Sequence, residues 1–548
     1  DSDRLYVVDT SRRRITRRTP DGDIDLELHG GNRDPGAFFY AEEITVDDGG
    51  DLYVLNVVTD RQGYYVEREE ILRFDADGRM RAVIHRREYD DPADRRPTLV
   101  QRGRIKGLYT HGDGVGWFTA DATGITPWRS VDGEASPGIH HDWPDAARHL
   151  ADIAPYDGSG GGYVYADKNG RITHISRTGE AQLRYRAPQD RRDIVPWDVE
   201  SYADGRIAFV DLEHRAIRSL PDAAGRPGIL LDASVIEASG HPSGSFNYYR
   251  LDAPQAQRLV TTNAEAAVML DTASGSVDYV TGGTRAADRV AVIGLTWLAV
   301  AAALIGTALV VYRLYVDGFN RRLPPVLIKS LAIVAVVGLS ATIVASIIIP
   351  RLTERSETIL LEKIATMQAT IPETVDGALF DRIDGLGDYD GPAYRSIRDQ
   401  FLEALNYNQD PWNEGFYFAL YRVLDERLYG FMFLNGAIGI YHPYDWLGDG
   451  GVYDQALAGG VAMESVTDIS GDWMYGVSPV RDDQGNVVAL FETGTDLYAL
   501  NLSTRMLIEE IVYQVITMLI ILIILMIELA VFTDAQRRRR AALPATPS

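Results

Sequence analysis

At 548 residues the chain is too long for a single compact core, so several folded units are expected. Its net charge of -24 excludes a sequence-independent grip on nucleic-acid phosphates, which needs a basic surface. Cysteine is absent, which excludes a disulfide framework, a thiolate metal site and a cysteine nucleophile. Basic residues are nearly all arginine, with lysine only at Lys106, Lys168, Lys329 and Lys363.

The N-terminal half repeats. Six times a bulky apolar residue is followed four positions later by Asp or Asn: Leu5 to Asp9, Leu52 to Asn56, Trp117 to Asp121, Tyr163 to Asp167, Ile207 to Asp211 and Leu259 to Asn263. Each step leads into a second β-prone run, opening at Ile15, Ile71, Ile125, Ile172, Ile217 and Val268. The turns read DDGG, DADG, DKNG, ADG and SGS, and Asp-Gly or Asn-Gly pairs between alternating apolar residues are strong hairpin signals. The predicted unit is an antiparallel meander recurring every roughly 45 to 65 residues, the period of propeller blades. The passages EITVDDGGDLYVLN and ILRFDADGRM resemble NHL-type and related β-propellers, a resemblance spanning residues 1–283 and implying six blades, with seven as the alternative. The first blade lacks an inner strand. The recurrent Asp and Asn are expected to end strands and accept turn hydrogen bonds. Calcium ligation at loop tips is the alternative, without DxDxDG spacing to support it. Nothing in the spacing of His111, His140, His141, His174 and His214 assembles a metal site.

Three apolar runs follow, at 290–312, 330–350 and 511–532, each close to the roughly 20 residues a helix needs to span hydrocarbon. Arg313, Arg321, Arg322 and Lys329 lie between the first two, and Arg537 to Arg540 follow the third, which predicts that both basic clusters face the cytoplasm. Residues 1–283 and 351–505 are then expected outside it, with a cytoplasmic loop at 313–329 and a basic tail at 533–548. An exported first domain starting at Asp1 implies an upstream segment. Gly294 and Gly306 predict close packing of the first two runs, and Glu528 is placed to snorkel from the end of the third.

Residues 351–505 open with RLTERSETILLEKIATMQATI, apolar at helical spacing, which predicts a stalk helix, and a second helix is expected around YRSIRDQFLEAL. EGFYFALYRVLDERLYGFMFLNGAIGIYHPYD then reads as three strands and ESVTDISGDWMYGVSPVRDDQGNVVALFETGTDL as two more. The passage WMYGVSPVRDDQGNVVALFETGTDL resembles the closing hairpin of Cache domains, which are PAS-like extracellular sensors, although their amine-binding motif has no clean counterpart here. The resemblance implies a ligand pocket between the sheet and the loops over it, lined by aromatics with a few polar anchors. Its candidates are Tyr417, Tyr421, Arg422, Tyr441, Tyr444, Asp445, Asp468, Trp473 and Tyr475. Successive strand residues face opposite ways, so Trp473 and Tyr475 are expected on one side and Tyr417 and Tyr421 on another.

The expected fold class is a multidomain membrane protein with an all-β propeller of about six blades, three transmembrane α-helices and an α+β PAS-like (Cache) domain. It is expected in the cytoplasmic membrane, with both large domains extracytoplasmic. The expected function is that of a receptor, not an enzyme. It would bind a small molecule or protein outside the cell and pass a conformational signal to a partner or dimer mate. The alternative is a scaffold subunit of a membrane complex or transporter, with the propeller as docking platform. The expected partners are the lipid bilayer, a small ligand in the Cache-like domain and a protein on the propeller or in the membrane. No nucleic acid, cofactor, metal or catalytic cluster is expected.

Overall fold

The computed structural model describes residues 4–281 and 354–497, each with short gaps, and isolated positions elsewhere. Residues Asp1–Gly282 and Leu361–Asn501 form one compact unit, and Gly283–Leu360 with Leu502–Ser548 form another.

Along residues 5–281 the described strands make six antiparallel sheets, each built on a meander of strands adjacent in sequence, with the short strands Arg96–Pro97 and His141–Asp142 added to two of them. The opening strands of the last five, Ala41–Val46, Ile105–His111, Leu150–Pro155, Pro196–Ser201 and Leu251–Gln255, lie in that order against one another. Sheets stacked side by side through their first strands are the blades of a β-propeller, and this part of the chain is one. The first sheet has three strands, Leu5–Asp9, Arg14–Arg18 and Ile24–His29. Leu5–Asp9 is the counterpart of Leu52–Thr59, the second strand of the next blade, so the innermost position of blade 1 has no strand among the described residues.

Burial explains why the second strands are apolar on both faces. In Leu52–Thr59, Leu52 and Val54 pack with Ile15 and Phe38 towards blade 1, while Tyr53 and Leu55 pack with Ile105, Val115 and Trp117 towards blade 3. A strand between two neighbouring sheets has no solvent face, so alternation gives way to an apolar run.

The recurrent Asp and Asn do what turn chemistry requires, and some do more. Asp121 Oδ1 accepts from the Thr123 and Gly124 amides, and Asp167 Oδ1 from those of Asn169 and Arg171. Asn56 lies deeper. Its Oδ1 accepts from Phe39 N at 2.8 Å and Tyr40 N at 3.1 Å, and its Nδ2 donates to Ala37 O and Glu70 Oε2. It thereby ties the approach to the inner strand onto the second strand.

The remaining β-residues of this unit form one six-stranded antiparallel sheet. Its order is His442–Tyr444, Arg427–Phe433, Phe416–Leu424, Val487–Asp496, Gly471–Arg481 and Ala462–Asp468. The sequence predicted five strands; Ala462–Asp468, folded back on Gly471–Arg481, is the sixth. On one face Phe401 of the helix Pro392–Tyr407 stacks on Phe491 at 5.5 Å, and Phe380 packs on Phe431 at 5.0 Å. Gln368, in the helical stretch 354–370, bonds Gly476 O and Ser478 on that same face. The other face carries the short helix Val452–Leu457.

The expected fold class is corrected here. The described residues are chiefly antiparallel sheet with a few helices, and among them no helix is long and apolar enough to cross a membrane. The runs at 290–312, 330–350 and 511–532, with Gly294, Gly306 and the basic segments, lie outside the described residues except for isolated helical positions such as Leu295, Tyr513 and Glu528. In place of a separate α+β PAS-like domain, the described residues show a mainly β unit whose second sheet packs on the propeller. A series of strands does not name its pairing partners.

That packing is polar and specific. Arg427 Nη1 donates to Glu213 O at 3.1 Å, and Tyr429 OH donates to Glu213 Oε1 at 3.1 Å. Asp390 lies 3.4 Å from His149 Nε2 of the propeller while accepting from Arg395 and Arg398 of the helix that follows it.

Candidate functional site

The strand register of the second sheet brings most of the aromatic candidates to one face. Tyr417 lies opposite Gly494, and Gly494 opposite Tyr475, so the three form one row across the sheet. Cross-strand partners share a face. Two residues along, Ala419, Glu492 and Val477 form the next row, and Tyr421 follows opposite Leu490. Tyr417, Tyr421, Trp473 and Tyr475 therefore converge, and their expected division between two sides is corrected. Alternation orders residues within a strand, but only the pairing register relates one strand to the next.

Glu492 stands at the centre of this face. Its Oε1 accepts from Tyr417 OH at 2.7 Å and from Tyr421 OH at 3.3 Å, and its Oε2 accepts from Tyr453 OH, brought down by the helix Val452–Leu457. Tyr444 and Tyr453 meet Tyr421 edge-on at 5.4 and 6.0 Å, and Trp473 meets Tyr417 edge-on at 5.4 Å. Phe433 and Tyr475 complete the ring. Burial raises the Glu492 carboxyl above the usual carboxylate range, and the three tyrosyl hydroxyls pull it back. Burial, followed by the charge of Glu492, drives all three tyrosines well above the ordinary phenol value. Among the described residues no Lys or Arg pairs with Glu492.

Gly494 makes the convergence sterically feasible. A Cβ there would sit 2.6 Å from Tyr475 Cβ and 2.8 Å from Tyr417 Cε1. Gly494→Val is expected to push the two tyrosines apart and lower stability by about 1 to 3 kcal/mol. The measurement is a urea unfolding midpoint, and an unchanged midpoint would contradict the packing described.

The other candidates go elsewhere. Arg422 turns to the opposite face and donates to Phe380 O and Ile383 O at 3.3 and 3.2 Å. Tyr441, at a φ of 58°, donates to Ile383 O at 3.1 Å. Asp468 closes the hairpin opposite Gly471, and its side chain, like Asp445, lies outside the described residues. Sequence reasoning missed Glu492 and Tyr453. The available signal was a lone acid in the otherwise apolar strand VVALFETG.

In the propeller four of the histidines named above make contacts within it and do not gather. His111 lies 3.3 Å from Arg129 Nη1, His140 bonds Thr126 Oγ1, His174 bonds Gly161 O and His214 bonds Asp211. Among the described residues no three His, Cys, Asp or Glu side chains gather as a metal would need.

No protein-family model matches the chain, and no curated protein sequence matches it. Solved structures do. A streptogramin B lyase is 15% identical, with a TM-score of 0.34 over 52% of this chain and 81% of its own. A protein of unknown function from Bacteroides caccae is 12% identical, with a TM-score of 0.36 over 52% and 94%. Apo AztD from Citrobacter koseri is 10% identical, with a TM-score of 0.31 over 51% and 94%. At these values no chemistry transfers to this chain. The expectation that it is not an enzyme is withdrawn, because a β-propeller architecture by itself excludes no chemistry.

Proposed function

We propose that the chain is a receptor-type ligand-binding protein whose second sheet recognises a small organic cation. The observation that carries this reading is the Glu492 carboxylate, buried without a cationic partner among the described residues and ringed by Tyr417, Tyr421, Tyr453, Tyr475 and Trp473. A carboxylate held away from water is stabilised by an opposite charge, and aromatic faces attract ammonium groups by their quadrupole. Without ligand, the tyrosyl hydroxyls satisfy the carboxylate. A bound cation takes their place against Glu492, and because Tyr453 belongs to the overlying helix, that exchange moves the helix against the sheet.

Calorimetric titration of the full chain with tetramethylammonium, choline and a series of primary amines, with carboxylates as controls, tests the reading. Saturable binding of at least one cation is expected, weakened at least about tenfold by Glu492→Gln, which keeps hydrogen-bond acceptance but removes the charge. Silence across the cations, or equal binding by the variant, removes the proposal.

A further inference from the structure

The two edges of the six-stranded sheet are built differently. His442–Tyr444 is three residues long, contains Pro443 and is held against the propeller, where His442 meets Trp197 edge-on at 4.8 Å. Ala462–Asp468 is seven residues long and, among the described residues, pairs with Gly471–Arg481 alone. An edge strand turns alternate N–H and C=O groups outward as a template for another strand, and proteins blunt it with Pro, Lys, a bulge or short length. Ala462–Asp468 has no Pro, Gly, Lys or Arg, and its pairing with Gly471–Arg481 runs without a register shift.

The flanks of this edge are open. Val461 and Met463 are 52% and 44% exposed, and Met463 lies opposite Gly476, on the face where a Cβ at Gly476 would meet Ile364 and Gln368 of the helical stretch 354–370. Glu464 and Ser465 are exposed as well. On the other face Val466 packs against the aromatic cluster, and Glu464 accepts from Tyr475 OH at 3.3 Å.

The strand is complementary to a two-fold copy of itself. Opposed residues of an antiparallel pair face the same way, so a symmetric pairing must be centred on a residue. Centring on Glu464 sets its carboxylate against its own copy, and centring on Val466 sets Glu464 against Asp468, both unfavourable. Centring on Met463 or Thr467 pairs only one end of the strand. Centring on Ser465 overlaps the whole strand and opposes no like charges: Met463 meets Thr467, Glu464 meets Val466, and Asp468 meets Ala462.

We propose that Ala462–Asp468 joins two copies of this chain edge to edge about a two-fold axis at Ser465, making one continuous sheet. The axis stands perpendicular to the sheet, so the two aromatic clusters share one face and the two helical stretches 354–370 share the other. The seam runs beside the Glu464–Tyr475 hydrogen bond of each copy. Such a seam forms whether or not a cation occupies the Glu492 cluster.

The chain has no cysteine, so a single introduced thiol reports a single contact. Opposed Cβ atoms stand about 4.5 to 5.5 Å apart, within reach of a disulfide or a short thiol-to-thiol reagent. In the full chain, Ser465→Cys should link into dimers at least about tenfold faster than Thr178→Cys, an exposed position in a propeller turn that reports random collision. By sedimentation equilibrium the wild-type chain should dimerise. Ser465→Lys and Ser465→Glu should each raise the dimer dissociation constant about fivefold by opposing like charges at the axis, and an equimolar mixture of the two should restore association. Should a charged variant fail to fold, the linking rate of Ser465→Cys decides alone. A monomeric wild-type chain, Ser465→Cys linking no faster than Thr178→Cys, or a dimer indifferent to both charges would each overturn the proposal, the last by placing the contact on another surface.

Discussion

Asp211→Ala is expected to lower the unfolding free energy by about 3 to 5 kcal/mol, the range for breaking a buried ion pair from one side. Asp211 is fully buried at the end of the strand Ile207–Asp211. Its Oδ2 accepts from Arg218 Nε at 2.6 Å and from His214 Nδ1 at 2.8 Å, and its Oδ1 accepts from Val195 N and Glu213 N. Alanine would strand the buried Arg218 guanidinium and orphan the Val195 and Glu213 amides. Because Glu213 is also the residue that holds Arg427 and Tyr429, the loss should reach the second sheet. Urea unfolding followed separately by propeller and second-sheet tryptophans would report both effects. Asp211→Asn, which keeps an acceptor for the amides, should fall between. A loss below about 1 kcal/mol for the alanine variant would show that the pair is dispensable.

At Glu492 the two obvious substitutions should differ in sign. Glu492→Gln removes a buried charge but leaves an acceptor for the tyrosines, and at neutral pH should stabilise by about 1 to 3 kcal/mol. Glu492→Ala takes the acceptor from three buried hydroxyls and should destabilise, at about 1 to 3 kcal/mol for each group left unsatisfied. The pH dependence follows from the raised carboxyl. Just above the unfolded-state value, the folded protein holds a proton that the unfolded chain has released. Stability therefore falls as pH rises from the ordinary carboxylate value to the folded one, and the Gln variant should lack that slope. Denaturation curves from pH 4 upward check this. Identical slopes in wild type and Glu492→Gln would mean that Glu492 is not the titrating group.

These expectations rest on contacts of differing legibility. The propeller was readable because its signal is local: Asp-Gly turns, β-prone runs and a recurring Asp or Asn each act within a few residues, and repetition multiplies a weak pattern. The aromatic candidates of the second sheet were readable as residue types. Their grouping was not, because Tyr417 meets Tyr475 only through a register that runs by way of Gly494, and a shift of one residue would turn either tyrosine to the other face.

By itself the sequence determined the all-β character of the N-terminal half, its recurring hairpin turns, the roles of Asp121 and Asp167 in their turns, and the aromatic richness of the second sheet. All of these follow from interactions between residues close in the chain. Only the tertiary structure decided that Glu492, 75 residues from Tyr417, is the anchor of the cluster, and that Lys168 and Glu213 of the propeller are covered by the second sheet. Pairing across such separations is chosen by the free energy of the whole packed unit, in which burying a charge depends on what else arrives beside it, and no local pattern carries that information.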